Sequence, residues 1–467
     1  MNNSPATLLP GSEMEADFVA RVRELPAKIT ENHRVKAARH IADFIGVLFA
    51  GMQVSEVRAF RSMLWQEQPR KNRGRNADLI VDPDFSEREN ASYIGTAGHF
   101  HDYDDDEPAV LIGHPTIVVA STVFAVASAV DCDTRDALDA YIAGVEAAMT
   151  IGACVNPNHY NAGWHATASL GIFGAAVAAG ILKGASDRQL VHTIGFAASQ
   201  SSGLKGGFGS MAKPMQVGAA CANAILATNL ALAGQESAPG MVFGPSGFCA
   251  MHAPQTDYAS AIARMGSPMS MDDPGFNIKL YPCCSSSHTA VDGALECATA
   301  ETLTADDIAR VDIWIGEDVP LILIYDFPEN ALQAKFCLRY PVAVALLRGD
   351  LTLDDFAEER IRDAEIDSLM RRIHVHLDPA LPRAATGVTH CSRVVITTTD
   401  GRRVERFTEH PRGSAARPLS EQALRKKFVK CAAGSLGEQG AMRVFEAALS
   451  MTNPRPMREF VASLQAP

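Results

Sequence analysis

Long apolar blocks dominate the middle of the chain. They fall at 117–130, 136–154, 167–183, 187–200 and 212–233, separated by glycine- or proline-containing breaks. Each is longer than an ordinary strand, so the pattern from Ser92 to about Ala233 predicts a run of helices. Gly171, Gly174, Ala175 and Ala178 recur at spacings of three and four, which predicts helices that approach one another closely. Upstream, Ala37, Ile41, Phe44, Ile45 and Leu48 keep helical spacing within 16–51, and Gly51 ends that stretch. Residues 1–15 show no such order and are expected to fray. Residues 53–90 are polar, with a basic run from Arg70 to Arg75, and are expected to form a solvated loop.

The period changes near residue 270. Residues 309–315 (ARVDIWI) and 372–377 (RIHVHL) alternate as strands do, and 392–399 leads through Asp400-Gly401 into 403–407, a hairpin signal. Helical blocks at 288–301 and 342–349 lie between them, and after Pro418 the helical period returns at 420–433 and 439–450. The predicted architecture is mainly α. A large all-helical domain is formed by both chain ends (1–269 plus 411–467), with a smaller α+β lid domain inserted at 270–410. Internal repeats and low-complexity tracts are absent from the sequence.

Composition narrows the function class. The 467 residues are 47% hydrophobic and 21% charged, with a formal net charge of −12. That balance suits a soluble protein, expected in the cytoplasm, and argues against non-specific nucleic-acid binding. The ten cysteines show no CxxC spacing and sit largely in apolar blocks, as reduced core residues do. The N-terminal MNNSPATLLPGSEMEADF lacks a basic region followed by an apolar run, so no signal peptide is expected. The Ala/Gly-rich helices fit helix–helix packing better than membrane spans.

Candidate chemistry concentrates in His99–Pro115, HFHDYDDDEPAVLIGHP. Five carboxylates and three histidines occupy this stretch without a lysine or arginine. Such a cluster must be solvated, paired with distant cations, metal-bound or partly protonated. Asp102-x-Asp104-x-Asp106 opens like a calcium loop, but the sixth position is Glu107 and the twelfth Gly113, which excludes an EF-hand. An isolated Mg²⁺ or Zn²⁺ site would have no HExxH or cysteine set to support it. His165 follows a Gly-Trp turn at a helix start, a place suited to anion binding and acid–base work. Lys213 lies at a helix start behind the glycine turn Gly206–Gly209, without the P-loop order. In KLYPCCSSSH, Cys283 and His288 lack an evident third group to make a nucleophilic set.

In this order, HxxDYDD…GHP, AGWH before a glycine-rich helix, FGSMAKPMQVG, KLYPCCSSSH and the later AKF resemble the MmgE/PrpD family over about residues 15–450. The resemblance implies the helical body and lid above, a homodimer, and no required cofactor or metal. It implies proton abstraction next to a carboxylate of a small polycarboxylate, as in 2-methylcitrate dehydratase, cis-aconitate decarboxylase and iminodisuccinate epimerase. A 2-methylcitrate dehydratase-like hydro-lyase is the first expectation. An epimerase of an imino- or amino-dicarboxylate is the second, and a non-catalytic ligand-binding homologue the third. Carried over residue by residue, it implies His165 and His114 as the acid–base pair oriented by Asp102, with Tyr325 of the lid as proton donor. Lys213 and Lys279 would bind carboxylates and stabilise developing charge, with Ser210, His288 and Asp106 completing the substrate-binding set. One departure matters. Family members that dehydrate or decarboxylate resemble D-F-[DN]-D-T-W in the acidic loop, whereas Asp106-Glu107 stands here in place of Thr-Trp. Two further carboxylates repel a citrate-like trianion and better suit a substrate bearing an amine or imine nitrogen.

Overall fold

The computed structural model describes residues 11–66, 79–384 and 386–464; the basic run at Arg70–Arg75 lies outside them. Ten helices build the first part of the body: α1 (Ser12–Lys28), α2 (Glu31–Met52), α3 (Ser55–Gln66), α4 (Glu87–His99), α5 (Pro115–Ala127), α6 (Thr134–Val155), α7 (Asn158–Asn161), α8 (Ala166–Leu182), α9 (Asp187–Gln200) and α10 (Ala212–Leu232). Every residue of α5 is buried; α8 and α4 pack beside it, α6 crosses α8, and α10 runs against α4 and α8. The Glu421–Leu449 helix returns to pack on α2, so both chain ends contribute to the body. Its break at Gly437 (φ 67°) separates the two helical blocks that the sequence shows there.

Two expectations need correction. Residues from Ser12 onward are helical, not frayed, and 16–51 is two helices, because the Thr30 hydroxyl caps the N-terminus of α2. Nor is 53–90 a solvated loop: α3 and the start of α4 lie there. A reciprocal pair starts α4, with the Ser86 hydroxyl accepting from the Glu89 N–H and the Glu89 carboxylate from the Ser86 N–H.

The inserted part carries one sheet. Strands β1 (Ile308–Ile315), β2 (Ile373–Leu377), β3 (Ser392–Thr398) and β4 (Arg403–Thr408) lie in the order β2-β1-β3-β4, with only the β1–β2 pair parallel. The His288–Glu301 helix packs on β3 and β4. The molecule is thus mainly helical, with helices from both ends flanking a smaller α+β insertion.

Small residues set the helix spacing. A Cβ added at Gly174 of α8 would stand 2.3 Å from the Gly144 carbonyl oxygen of α6. That oxygen is backbone and cannot step aside. Gly174→Ala is therefore expected to destabilise the protein by about 1–3 kcal/mol or more, read as a lowered urea midpoint; an unchanged midpoint would contradict the close crossing. Helices α6 and α10 are long and apolar enough to cross a membrane, but 89% of the apolar window of α6 is buried within the protein. Its hydrophobicity serves the core.

Candidate active site

The acidic loop is not a solvated loop. None of its five carboxylates is more than 5% exposed, and their partners come from distant elements and from the loop itself. Asp102 accepts from Lys213 Nζ (2.5 Å) and Lys279 Nζ (2.9 Å). Asp104 faces His99 Nδ1 (2.8 Å), and Asp105 meets His40 Nδ1 and the Thr116 hydroxyl. Glu107 turns onto the backbone N–H groups of Ala109, Val110 and Leu111, so it does not face a ligand as the sequence pattern suggested. Asp106 is held by a backbone bridge to Asn277 and borders the cavity described next. Burial alone would favour the protonated form of Asp102; the two ammonium groups outweigh it and hold this carboxyl well below the usual carboxylate range.

Helix starts converge on a cavity of about 60 Å³. His114 is the N-cap of α5, His165 the N-cap of α8, and Lys213 stands in the first turn of α10. Neither histidine uses its side chain as a cap, so both imidazoles are left for the cavity they line, together with Asp102, Asp106 and Lys279. Free N–H groups and positive dipole ends at such starts favour an anionic ligand. Gly163, at φ 103°, makes the turn that delivers Trp164-His165.

The protonation pattern follows from the hydrogen bonds. Gln216 donates its amide N–H to the Leu204 carbonyl, so its oxygen faces His165 Nδ1 at 2.8 Å and accepts from it. His165 Nε2 is then a bare, fully buried acceptor without a partner among the described residues. Burial first, then Lys213 and His99, hold this imidazole well below its usual range, so it is neutral. His99 is likewise neutral, pushed down to about 3 mainly by burial; its Nε2 accepts from Lys213 Nζ at 2.6 Å. An ammonium has three N–H groups. Lys213 spends two on His99 and Asp102, and Lys279 spends two on the Asp102 carboxylate and backbone carbonyl. Among the described residues neither bonds a third acceptor, which leaves one N–H of each for a ligand. Asp102 sits at φ 52°, a left-handed conformation uncommon outside glycine and stored at functional sites.

Two family models match the chain. The MmgE/PrpD N-terminal domain model matches residues 16–261, and the MmgE/PrpD C-terminal domain model matches 281–451. The chain belongs to the MmgE/PrpD family. It is 24% identical over 417 residues to human cis-aconitate decarboxylase, covering 86% of this chain and 83% of that protein. To the Aspergillus terreus cis-aconitate decarboxylase it is 24% identical over 391 residues, 76% of each. A shorter match, 32% identical over 149 residues, joins it to 2-methylcitrate dehydratase of Escherichia coli K12, covering 29% of this chain and 30% of that protein.

Not every residue implied by the MmgE/PrpD resemblance borders the cavity. The Tyr325 hydroxyl donates to the Phe208 carbonyl (3.1 Å), and its ring lies over Gly209, where a Cβ would stand 2.4 Å from it. Ser210 is exposed and bonds the Gly207 carbonyl. His288 Nε2 faces the Cys283 carbonyl, not a thiol. Burial pushes the Cys283 thiol up to about 12, which suits a core residue and not a nucleophile. The sequence reading assigned no role to His99 or Asp104, which buttress the site, nor to His390, which lines it. His99, Asp104 and His114 present ligand-type atoms within 4.8 Å of one another, a spacing a cation could bridge. Here Asp104 Oδ2 already holds His99 Nδ1, with His114 Nδ1 at 3.1 Å, and the Lys213 ammonium stands against the far side of His99.

Proposed function

We propose that this MmgE/PrpD enzyme abstracts a proton α to a carboxylate of a small di- or tricarboxylate, and that it is a lyase. One juxtaposition carries the reading: a neutral imidazole with an unpartnered Nε2 shares a cavity with two ammonium groups that each retain an unused N–H. The names of its relatives, a decarboxylase of cis-aconitate and a dehydratase of 2-methylcitrate, are consistent with it.

The mechanism follows from the charges. Lys213 and Lys279 bind the carboxylate beside the reacting carbon. Their charge acidifies the α C–H and stabilises the aci-carboxylate that forms when the proton leaves. His165 Nε2 takes that proton, while Gln216 keeps the ring in the needed tautomer. The bound carboxylate also offsets the Lys213 charge that lowers His165 basicity, so the base strengthens only in the complex. His114, beside Asp102 (3.6 Å) and Asp104, supplies the proton for the departing group.

Epimerisation is a second reading, and Asp106 favours it. A carboxylate on the cavity wall repels the third carboxylate of a citrate-type substrate, whereas an epimerase needs only a proton returned to the opposite face. The two readings part in one assay. In D₂O, a lyase yields a conjugated alkene with new ultraviolet absorbance. An epimerase gives deuterium uptake at the α-carbon without it. Failure of every small dicarboxylate and tricarboxylate in a panel to exchange or absorb would leave the third expectation, a ligand-binding homologue.

A further inference from the structure

Asp102 holds the two active-site lysines from a left-handed backbone conformation. Such a conformation costs free energy and persists only where its surroundings over-determine it. What fixes it lies on the next residue. Asp102 and Lys279 are bonded to each other and border the active-site cavity. Tyr103 and Leu280, the residues that follow them, are bonded as well, the Tyr103 hydroxyl donating to the Leu280 carbonyl at 3.0 Å. This second pair lines a separate cavity of about 430 Å³. The two segments therefore carry the active-site ion pair on one side and a brace on the other.

The brace ends on Lys427, in the Glu421–Leu449 helix of the body. Lys427 is 3% exposed and borders the second cavity, not the first. Its ammonium donates to the Tyr103 carbonyl (2.9 Å), stands 4.0 Å from the centre of the Tyr103 ring, and pairs with Asp43 of α2 (2.6 Å). Tyr103 is gripped at its carbonyl, its ring and its hydroxyl. Asp43 is buried too, and burial pushes its carboxyl up to about 6 against the pull of Lys427. As a source of stability such an ion pair is poor, because apolar side chains of similar volume serve a core as well or better. The carbonyl it holds gives it a different use. Resting on the function proposed above, we propose that Lys427 is a positioning residue: its ammonium pins the peptide after Asp102 and so keeps the Asp102 carboxylate between Lys213 and Lys279. Tyr103 carries the same restraint across to the segment that bears Lys279. The returning C-terminal helix then acts on the reaction without bordering the site.

The test asks whether Lys427 acts through Asp102. In the full-length protein, Lys427→Met is made together with Asp43→Asn, so that no carboxylate is stranded. The pair is expected to lower exchange of the substrate α-proton with D₂O by about tenfold to a hundredfold, the scale set by a misplacement of about 1 Å. Tyr103→Phe removes only the hydroxyl and is expected to lower it by about threefold to tenfold; it keeps the test open should the lysine variant not fold. Both are then repeated in Asp102→Asn, where the carboxylate to be positioned is already gone. Each is expected to change exchange there by less than about twofold. Losses that multiply in full with that of Asp102→Asn would show that Lys427 and Tyr103 serve the fold alone and would overturn the proposal. So would exchange within twofold of the parent in the folded Lys427→Met pair. A parent that exchanges no proton with any polycarboxylate would sink the proposed function instead. The positioning role is then read, as it is where Asp102→Asn exchanges too slowly to compare, from urea midpoints of the same proteins. Combined shifts smaller than the sum of the separate ones support it, and additive shifts overturn it.

Discussion

Exchange of the substrate α-proton with D₂O is expected to fall by about 10²–10⁴-fold in His165→Gln, the span of general-base catalysis. The argument rests on where the ring sits. His165 caps α8 by its backbone alone, so losing the imidazole costs no helix cap. Its Nδ1 bond to Gln216 is the only side-chain bond it makes among the described residues, and glutamine offers an N–H to the same oxygen. Fold and substrate affinity should survive, because the two ammonium groups are untouched. The defect should therefore appear in kcat and not in KM, with circular dichroism and the urea midpoint as in the parent. A variant that exchanges protons within twofold of the parent would show that another group is the base. Its pH profile carries a second signature. Burial, Lys213 and His99 keep the parent imidazole uncharged well below its ordinary range, so the free enzyme should retain its base on the acid side of pH 6.5.

Much of the fold was legible because the apolar pattern is regular. The hairpin at Asp400-Gly401 and the strand at 309–315 fall within about one residue of β3, β4 and β1. Blocks such as 136–154 and 187–200 match α6 and α9 because both are capped by polar residues, Asp133 and Ser186, just ahead of periodic apolar runs. The start of α4 escaped because its buried face is mostly small and polar, Asn90, Ala91, Gly95, Thr96 and Gly98, with Tyr93 and Ile94 as its only large apolar residues. Its Ser86–Glu89 capping pair falls in the polar stretch 53–90 and went unread there. The site divides in the same way. Asp102, His114, His165 and Lys213 stood in local motifs, the last three at helix starts. His390 lies in no motif, and only the packing of the insertion on the body brings it to Asp106. Charge counting along the loop also misjudged Glu107, since nothing local tells which carboxylate will turn back onto its own backbone.

The second large effect is expected at Asp102. Asp102→Asn keeps the shape of the side chain but leaves Lys213 and Lys279 buried with no anion between them. Removing one partner from a buried ion pair costs about 3–5 kcal/mol, here shared by two ammonium groups that are 4% and 2% exposed. The urea midpoint should drop accordingly. Activity should fall with it: the ammonium groups, no longer held by an anion, lose protons more readily and cease to stabilise the charge on the substrate. The pH dependence fixes the cause. The folded-state pKa of Asp102 is depressed far below that of the unfolded chain, about 3.9. Its contribution to stability is therefore fully present above that value and is lost only as pH falls through the depressed one. The stability gap between parent and Asp102→Asn should stay level from pH 8 to pH 5 and narrow only below about pH 4. A gap that closes near pH 6 would instead implicate the neighbouring histidines, and a variant as stable as the parent would show that Asp102 is not what holds the two lysines in place.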